Sequence, residues 1–407
     1  MKKLSFFITQ IKQPYHLAQG LVAWLLFGLF RKRIRIIGVT GTDGKTTTST
    51  MIYHILKTAG KKVALISTVA AFIDDEAVDT GFHVTSPSPW ALQRLLRRIE
   101  NLKYEFVVLE VTSHGIYQYR LLGIIPEVAV LTNITHEHLD YHPSYNHYLK
   151  TKTSFLARAK IAVINKADRS YKMVHELLRK KDKRVVEYEF RTADSQVRAM
   201  LVKSIPEPYN RDNALAAITT CQQLHIPTDS CLKAIQSFKN IVGRMEEISV
   251  PGSDIRVVVD FAHTPNGLQS ALSALRASLK KGQHLIAVLG SAGLRDETKR
   301  PMMGRIASEL ADSAVFTAED PRTEDVNVII RQMKEGIVKN WGHMHEIVDR
   351  KEAIMFAVTK LAIKGDVVGI FGKGHERSLN LDGKHEIPWS DQEEATKALK
   401  IRGECHE

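Results

Sequence analysis

A short glycine-rich loop near the amino terminus carries the residues with the most recognisable chemistry. Its members are Gly41, Thr42, Asp43, Gly44, Lys45, Thr46 and Thr47. In loops of this kind, glycines let backbone N–H groups approach phosphate oxygens, a lysine reaches the β- and γ-phosphates, and a threonine hydroxyl ligates Mg²⁺. Lys45 and Thr46 occupy the lysine and threonine positions. The loop therefore predicts a site for ATP and magnesium.

The elements around the loop have the order that phosphate binding requires. The apolar residues Ile36, Ile37 and Val39 predict a strand before it, and apolar residues recur at helical spacing between positions 51 and 59 after it. The general pattern has one more glycine, at the position of Val39, so this loop is the shorter G-T-x-G-K-T form. An unrelated Gly-Lys-Thr turn is the alternative, and the flanking strand and helix argue against it.

Further strands and helices alternate along the chain. Apolar, β-branched segments at residues 62–72, 106–111, 128–133 and 161–165 predict strands, and residues 90–99 predict an amphipathic helix. This order predicts an α/β fold with a doubly wound, mainly parallel sheet. In such sheets, ligands bind at the carboxyl ends of the strands.

Two candidate metal ligands follow these strands. Glu110 stands at the end of the 106–111 strand, and His138 comes shortly after the 128–133 strand. Taken singly, each is an ordinary core or surface residue. Because both share a sheet edge with Thr46, they predict a site for Mg²⁺ bridging the γ-phosphate and an acyl group.

Longer sequence blocks resemble the Mur ligase family, the ATP-dependent amide ligases of peptidoglycan synthesis. The loop, E-V-T-S-H-G at 110–115 and H-L-D-Y-H at 138–142 are similar to its UDP-N-acetylmuramoyl-tripeptide synthetase branch. The resemblance implies that Lys152, fourteen positions after His138, carries a carbamate made from CO₂. A neutral amine adds CO₂ and becomes an anionic metal ligand. Without the resemblance, Lys152 would be interpreted as a solvated helical lysine like Lys150.

The resemblance also implies which residues contact the substrates. The catalytic set is Lys45, Glu110, His138 and Lys152, with Thr46, Glu110, His138 and Lys152 as metal ligands. Contacts to the UDP-muramoyl peptide are implied for Thr85, Ser86, Thr112, Gln118 and Arg120, where Ser86 replaces the family's threonine. Nucleotide contacts are implied for Asn210, Asn213, Arg244 and Asp260. On local sequence alone, residues 210–213 form the capped start of a helix, with Asp212 or Asn213 as the cap.

The alternation of strands and helices begins again after a turn at residues 242–246. It predicts a second, Rossmann-like α/β domain, and Gly243 is the predicted hinge. The chain is thereby divided into an apolar and basic helical segment at 1–34, a central ATP-binding domain at 35–242 and a carboxy-terminal domain at 243–407. The blocks G-R-M-E, D-F-A-H-T-P and G-K-G-H-E resemble the family's carboxy-terminal domain, which closes over ATP and holds the incoming amino acid.

The amino-acid site is implied by the same resemblance. Its positions are Arg295, Glu319, Asp320, Pro321, Arg322, Gly372 and Glu376. Family members that use meso-diaminopimelate carry D-N-P-R, and lysine users usually lack the arginine, whereas this chain has E-D-P-R. Arg322 favours a second substrate carboxylate and hence diaminopimelate. Asp320 would repel that carboxylate and attract an ammonium, so L-lysine stays the alternative.

Composition limits the partners. The chain has 407 residues, and its 57 basic against 45 acidic residues give a net charge of +12. The length predicts two or three domains. The positive charge favours anionic partners, such as nucleotides, a diphospho-sugar or an anionic membrane. No nucleic acid is expected, because the sequence holds no recognition motif for one. Cys221, Cys231 and Cys405 form no C-x-x-C pair and are typical of reduced thiols in a cytoplasm.

Residues 17–33 allow two interpretations. Residues 21–30 carry no polar side chain, and Arg31, Lys32 and Arg33 follow directly. Ten apolar residues are about half of what a bilayer span requires, and no cleavage site of a signal peptide follows them. The segment is either a helix that packs on the following domain, or one that lies on the inner membrane face with its basic residues on anionic headgroups.

The resemblance covers residues 35–402 and omits the family's amino-terminal UDP-binding domain, because only about thirty-five residues precede the first strand. The nucleotide sugar is then held more loosely, a partner supplies the domain, or the acceptor lacks UDP. The expected function is addition of an amino acid to UDP-N-acetylmuramoyl-L-alanyl-D-glutamate through an acyl phosphate. The alternatives are folylpolyglutamate synthesis, a P-loop phosphotransferase, and a nucleotide-binding scaffold at the membrane.

Overall fold

A computed structural model of the chain describes residues 12–29, 34–67, 71–73, 76–78, 87–135, 142–239, 241–339 and 341–404. The chain forms two compact units, Met1–Phe238 and Lys239–Glu407. The predicted boundary between residues 242 and 243 lies a few residues after this division. Each unit contains a mainly parallel sheet with helices on both faces, which confirms the predicted α/β class.

The first unit is built on one large sheet. Within the described residues its strands are β1 (Arg35–Thr40), β2 (Val63–Ile66), β3 (Ala71–Ile73), β4 (Glu76–Val78), β5 (Phe106–Glu110), β6 (Val128–Leu131), β7 (Ile161–Asn165) and β8 (Arg184–Tyr188). Their order is β4-β3-β2-β5-β1-β6-β7-β8. The β2–β3 and β3–β4 pairs are antiparallel, and the other pairs of this sheet are parallel. Because β1 lies between β5 and β6, the residues that follow these three strands meet at one edge.

Helices cover both faces of this sheet. They are α1 (Gln13–Phe27), α2 (Lys45–Thr58), α3 (Pro89–Asn101), α4 (Ser113–Tyr117), α5 (Tyr145–Leu156), α6 (Tyr171–Arg179), α7 (Ser195–Ser204), α8 (Pro208–Gln223) and α9 (Thr228–Gln236). Successive strand side chains point to opposite faces. Ile37 and Val39 therefore enter the core shared with α2 and α8, and Ile36 enters the core shared with α3 and α5.

Two predicted elements of this unit have the wrong bounds. The strand predicted at 62–72 is two strands, since β2 ends at Ile66 and β3 returns antiparallel with Leu65 opposite Phe72. The apolar character continues across the reversal, so hydrophobicity contained no signal for it. The helix predicted from residue 214 begins at Pro208, a residue suited to a first turn, so Asn213 lies inside the helix and is not its cap.

The second unit repeats the architecture on a smaller scale. Its main sheet, in the described residues, contains β9 (Glu246–Ile248), β10 (Arg256–Asp260), β11 (Leu285–Leu289), β12 (Ser313–Phe316), β13 (Met344–Glu346) and β14 (Val367–Phe371). Their order is β13-β12-β11-β14-β10-β9, and β9 is antiparallel to β10. A hairpin of β15 (Ser378–Asn380) and β16 (Glu386–Pro388) follows. The helices are α10 (Pro265–Ser278), α11 (Lys299–Leu310), α12 (Val326–Lys334), α13 (Arg350–Phe356) and α14 (Asp391–Glu404).

The amino-terminal helix α1 packs on the first unit. Gln13 Nε2 donates a hydrogen bond to the Tyr117 carbonyl at 3.1 Å, and Arg97 on α3 donates to the Leu26 carbonyl at 3.1 Å. Ala23 is completely buried in this contact, whereas the other face of the helix stays exposed. Over the described part of the chain, no helix is long and apolar enough to cross a membrane.

Candidate active site

The glycine loop connects β1 to α2, as predicted, and its conformation requires glycine. Gly44 has φ 77° and caps the amino end of α2. A Cβ at Gly44 would overlap Asn213 Oδ1, and one at Gly41 would overlap Thr132 Oγ1. The loop is therefore closely packed. Because its glycines carry no side chains, they do not cover the backbone amides at the amino terminus of α2.

We expect Gly44→Ala to destabilise the loop and weaken ATP binding. The left-handed conformation costs a non-glycine residue about 1–2 kcal/mol, and the overlap with Asn213 adds to that cost. Gly60→Ala is a matched control, because Gly60 has φ 75° and open space around it. Thermal unfolding and ATP titration check this: equal effects of the two variants would show that packing against Asn213 is unimportant.

Residues directly after β6 hold the loop in place. Thr132 Oγ1 donates to the Asp43 carbonyl at 2.6 Å, and the Asn133 side chain accepts from the Asp43 N–H at 2.9 Å. The Asn133 carbonyl accepts from the Thr42 N–H at 2.9 Å. Sequence reasoning assigned no role to Thr132 or Asn133. Their position immediately after a strand was the one signal that could have identified them.

The lysine and threonine of the loop have distinct contacts. Lys45 Nζ donates to the Thr42 carbonyl at 2.7 Å, so the side chain folds over the loop. Thr46 Oγ1 donates to both carboxylate oxygens of Glu110, at 3.2 and 3.0 Å, and both residues are buried. A hydroxyl and a carboxylate oxygen in contact are the donor types that Mg²⁺ prefers. The pair therefore fits a magnesium ion.

Lys152 reaches the same loop from α5. The side chain is 1% exposed, and its Nζ donates to the Gly41 carbonyl at 2.6 Å. It also lies 4.6 Å from the centre of the Tyr148 ring, and the Tyr148 hydroxyl is 3.1 Å from Thr42 Oγ1. The structure therefore brings Lys152 to the loop that also holds Lys45 and Thr46.

Three predicted site residues, His138, Thr85 and Ser86, lie outside the described residues. Among the residues that the structure does describe, no group of three or more His, Cys, Asp or Glu side chains is arranged to hold a metal ion. The candidate magnesium site consequently consists here of the Thr46 hydroxyl and the Glu110 carboxylate, with Lys152 nearby on the loop.

A cluster of histidines beside Lys152 was missed. His142 Nδ1 is 2.9 Å from His147 Nδ1, and the His142 ring lies 5.1 Å from the Tyr148 ring and 6.3 Å from the His114 ring. Burial lowers the pKa of His142 to about 3, and the nearby positive charges of His114, His147 and Lys152 contribute further. His142 is therefore neutral at neutral pH. The motifs that contain His114 and His142 were noted in the sequence. These histidines are far apart in the sequence and meet only in the fold.

Asn210 and Asn213 lie beside the loop. Asn213 is buried, accepts from Thr48 Oγ1 at 3.4 Å and donates through Nδ2 to Asn210 Oδ1 at 3.1 Å. Both residues belong to the first turns of α8, which packs against α2. The structure therefore places the two asparagines implied for nucleotide binding next to the start of α2.

The segment implied for the acceptor leaves the sheet directly after Glu110. Thr112 Oγ1 accepts from the Gly115 N–H at 3.1 Å and so caps α4. Arg120 Nε donates to Gln118 Oε1 at 2.9 Å, which orients the guanidinium. The three predicted acceptor residues of this segment thus share one short stretch of chain beside the candidate magnesium site.

In the second unit, the three family-like blocks G-R-M-E, D-F-A-H-T-P and G-K-G-H-E meet. The Arg244 guanidinium lies 4.6 Å from the centre of the Phe261 ring, and that ring lies 4.8 Å from the ring of His375. Gly243 has φ 68°, and a Cβ on it would overlap the backbone of His375. Gly243 is therefore closely packed within the second unit, and the hinge at this turn stays a prediction.

Asp260 has protein contacts in this unit. Its two carboxylate oxygens accept from the backbone N–H groups of Met245 and Ala262, at 2.7 and 2.8 Å. The carboxylate therefore joins the turn before β9 to the end of β10. Nucleotide contacts of Asp260 and Arg244 stay predictions.

We expect His375→Gln to reduce the acid sensitivity of the second unit. Burial, followed by the charges of Arg244, Lys373 and Arg377, lowers the pKa of His375 to about 3. Its unfolded form takes up a proton below about pH 6.5 while the folded form stays neutral, so stability falls by about 1.4 kcal/mol for each pH unit below 6.5. Calorimetry at about pH 7 and about pH 5 checks this, with exposed His343→Gln as the control. The same acid loss in both variants would contradict the assignment.

The amino-acid positions cluster at the carboxyl ends of β12 and β14. Glu319 is buried, and a Cβ at Gly372 would lie 2.8 Å from Glu319 Oε2, so the absent side chain keeps space beside this carboxylate. Burial raises the pKa of Glu319, against the opposing charges of Lys299 and Arg350. Its Oε2 accepts no hydrogen bond from the described residues. This oxygen is available to an ammonium group.

Asp320 is paired within the protein. Both of its carboxylate oxygens accept from Lys373 Nζ at 3.0 Å, and one also accepts from the Asn380 N–H at 3.0 Å. Lys373 makes a second ion pair with Glu376 at 2.5 Å. Because Lys373 offsets the charge of Asp320, the repulsion of a second substrate carboxylate that the sequence predicted is reduced.

Arg322 lies on the other side of the same turn. It has φ 56°, its N–H donates to the Asn380 carbonyl at 3.1 Å, and its guanidinium donates to the Gly293 carbonyl at 2.5 Å. The Gly293 N–H donates to the Asp320 carbonyl at 2.8 Å. The turn at 320–322 is therefore hydrogen-bonded to the loop that contains Gly293 and, two residues later, Arg295.

Arg350, which sequence reasoning missed, positions this cluster. Its guanidinium makes a completely buried, two-point ion pair with Asp391 at 2.8 and 2.7 Å. It also donates to the carbonyls of Ala318 and Phe371, at 3.1 and 3.0 Å. These two residues directly precede Glu319 and Gly372, so Arg350 fixes the strand ends that carry them.

Comparison with known proteins agrees with this geometry. The model of the Mur ligase middle domain matches residues 39–221, and that of the "Mur ligase, glutamate ligase domain" matches residues 243–374. A UDP-N-acetylmuramoyl-L-alanyl-D-glutamate–2,6-diaminopimelate ligase of Clostridium botulinum is 36% identical over 371 residues, covering 86% of this chain and 75% of that protein. The chain belongs to the Mur ligase family. The ligase of the same description from Geobacillus kaustophilus is 34% identical over 412 residues, covering 95% of this Mur ligase and 83% of the relative.

Solved structures also resemble this Mur ligase. A UDP-N-acetylmuramoyl-L-alanyl-D-glutamate–2,6-diaminopimelate ligase is 29% identical with a TM-score of 0.59, covering 96% of this chain and 83% of that one. Mycobacterium tuberculosis folylpolyglutamate synthase, complexed with ADP and AMPPCP, has a TM-score of 0.71 but 16% identity, covering 91% of this chain and 96% of that one. At that identity the second likeness shows a shared fold alone. The resemblance to the tripeptide synthetase branch is confirmed.

Proposed function

We propose that this chain is an ATP-dependent ligase that adds meso-diaminopimelate to UDP-N-acetylmuramoyl-L-alanyl-D-glutamate during peptidoglycan precursor synthesis. The observation that carries the proposal is the convergence of Thr46, Glu110 and Lys152 on one phosphate loop. Relatives 33–36% identical to this chain, which are described as diaminopimelate ligases, support the choice of substrates. ATP and nucleotide-linked precursors place the reaction in the cytoplasm.

The first step is activation of the acceptor. The γ-phosphoryl group passes from ATP to the terminal carboxylate of the acceptor, which gives ADP and an acyl phosphate. The loop amides and Lys45 stabilise the negative charge on the moving phosphoryl group. Asn210 and Asn213, which bond to each other beside the loop, contact the nucleotide. Thr112, Gln118 and Arg120, together with Thr85 and Ser86, bind the acceptor. Binding both reactants at one sheet edge provides orientation.

Thr46 and Glu110 are the residues that would hold a magnesium ion, and His138 and Lys152 would hold another. Magnesium supplies positive charge that stabilises the phosphoryl oxygens of ATP. We further propose that Lys152 is carbamoylated. The modification replaces a buried cation beside the loop with an anionic oxygen donor, and this suits a metal site better than an ammonium group does.

The second step is amide formation. An amino group of the incoming amino acid attacks the acyl carbon, loses a proton, and phosphate leaves from the tetrahedral intermediate. Glu319 offers its buried oxygen to the substrate's ammonium group, and Arg295 and Arg322 bind carboxylates. Pro321, Gly372 and Glu376 shape the same site. Arg350 acts indirectly, because it holds the backbone before Glu319 and Gly372.

Two observations favour diaminopimelate over L-lysine. Arg322 supplies a guanidinium for a second carboxylate, and the pairing of Asp320 with Lys373 reduces the repulsion of that carboxylate. The distal end of L-lysine carries an ammonium group but no carboxylate. Arg322 would therefore have no anionic partner on that substrate. An acceptor without UDP is the second candidate for the other substrate.

Phosphate release tests the proposed function. The full chain is incubated with ATP, Mg²⁺, UDP-N-acetylmuramoyl-L-alanyl-D-glutamate and single amino acids. We expect meso-diaminopimelate to stimulate release strongly and L-lysine weakly. ATP turnover that no amino acid changes would instead identify a phosphotransferase, and stimulation by glutamate with a folate acceptor would identify folylpolyglutamate synthesis. Stimulation with a muramoyl dipeptide without UDP would identify the second acceptor.

A further inference from the structure

The outward face of α1 is an unusually apolar surface. Leu29, two residues beyond the end of the helix, is 43% exposed. On the helix itself, five apolar side chains are each between 41% and 57% exposed: Leu17, Leu21, Val22, Leu25 and Leu26. At about 100° per residue, they occupy one half of the helix circumference. A contiguous apolar surface of this kind on a soluble protein marks an interaction site.

The orientation of this face is fixed by the opposite half of the helix. Gly20 packs so closely that a Cβ would lie 2.6 Å from the Tyr119 carbonyl, and Ala23 is completely buried. The Gln13 and Arg97 hydrogen bonds hold both ends of the helix on the first unit. The leucines therefore stay outward because the other half of α1 is already packed.

The charged residues of the amino-terminal segment all have one sign. Residues 1–34 contain no Asp or Glu, and their six basic residues are Lys2, Lys3, Lys12, Arg31, Lys32 and Arg33. The triplet 31–33 follows Leu29 directly in the sequence, with only Phe30 between them. Arg94 and Arg97 on α3 are also exposed, and Arg97 bonds to the Leu26 carbonyl. The apolar face thus has Arg94 and Arg97 on the neighbouring helix, and the sequence adds a basic triplet shortly after α1.

We infer that α1 docks this enzyme on an anionic lipid bilayer. The leucines enter the boundary between headgroups and acyl chains, and the basic residues contact lipid phosphates. At about 1.5 Å per residue, the 15 residues of α1 reach about 22 Å, less than the hydrocarbon core, so the helix lies in the plane of the surface. A second copy of the chain fits poorly, because it would bring two acid-free basic segments together.

Docking has a consequence for the acceptor segment. The Tyr117 and Tyr119 carbonyls that contact α1 lie in the stretch that carries Gln118 and Arg120. A bilayer under α1 therefore lies close to this segment of the first unit. The inference itself does not rest on the ligase function, since it depends only on α1 and its surroundings.

Vesicle co-sedimentation of the full chain tests the inference. We expect binding to phosphatidylcholine vesicles that contain phosphatidylglycerol, no binding to pure phosphatidylcholine, and weaker binding at high salt. Leu21→Glu with Leu25→Glu should abolish binding. Alanine at positions 31, 32 and 33 should weaken it about a hundredfold, from roughly fivefold for each basic residue. Phosphate release in solution should be unchanged in both variants, which separates this test from that of the ligase function.

Matched controls are available elsewhere on the surface. Val202→Glu with Ile363→Glu changes exposed apolar residues, and alanine at Arg179, Lys180 and Lys181 removes three exposed basic ones. Both controls should bind vesicles as the unchanged chain does. The inference is overturned by no vesicle binding, by equal binding to pure phosphatidylcholine, or by full binding of the Leu21→Glu, Leu25→Glu variant with unchanged thermal unfolding. It is also overturned if sedimentation shows that these leucines bind a second copy of the chain or an acidic protein and do not bind a bilayer.

Discussion

Replacing Lys152 with alanine should lower kcat by roughly a hundred- to a thousandfold, because the change removes a ligand that stabilises charge on the phosphoryl group. Lys152 is 1% exposed and bonds to the Gly41 carbonyl, so its side chain ends at the loop itself. If its active form is a carbamate, a short carboxylate such as acetate should enter the space left by the side chain and restore part of the rate. Steady-state phosphate release with and without acetate is the measurement.

Lys150 provides the control for this experiment. It is on the same helix but exposed, so Lys150→Ala should keep full activity and show no response to acetate. Thermal unfolding of both variants separates a catalytic defect from a misfolded loop. A Lys152→Ala enzyme that is folded and fully active would refute the proposed role, and an inactive enzyme that no carboxylate restores would refute the carbamate.

Replacing Arg322 with alanine should raise KM for meso-diaminopimelate about ten- to a hundredfold, the effect of losing one charge-assisted hydrogen bond pair. The effect on L-lysine should be small, because lysine lacks the distal carboxylate. The preference for diaminopimelate over lysine should therefore fall. Steady-state kinetics with both amino acids check this prediction.

Two control variants distinguish the loss of a substrate contact from a purely structural effect at this position. Arg322 has φ 56°, so Arg322→Gly removes the guanidinium and tolerates the backbone conformation. It should reproduce the change in specificity without the backbone strain that alanine adds at this position, although both variants lose the hydrogen bond to the Gly293 carbonyl. Arg331→Ala alters an exposed arginine on α12 and should leave both substrates unaffected. If KM rises equally for both amino acids in Arg322→Gly, the guanidinium does not bind the distal carboxylate.

The phosphate loop could be predicted because its signals are local. Glycine, lysine and threonine stand in fixed order between a strand pattern and a helix pattern, and the structure has β1, the loop and α2 at those positions. The contact between Thr46 and Glu110 followed from one rule, that adjacent parallel strands end at the same sheet edge.

Other features depend on residues that are distant in sequence. Local pattern alone predicts Lys152 as a solvated lysine, whereas the structure buries it beside Gly41, more than a hundred residues earlier. The pairing of Asp320 with Lys373 joins two turns that follow different strands, so the charge of Asp320 was predicted to be uncompensated. The close packing of Gly243 against His375 also joins residues more than a hundred positions apart, and no local pattern indicates it.

The central claim is that this chain joins diaminopimelate to a muramoyl dipeptide, and mass analysis of the product tests it most directly. The full chain, ATP, Mg²⁺, UDP-N-acetylmuramoyl-L-alanyl-D-glutamate and meso-diaminopimelate should yield a nucleotide tripeptide, heavier than the acceptor by diaminopimelate less one water. One ADP and one phosphate should form for each product molecule. ADP formation with an acceptor of unchanged mass would contradict the account.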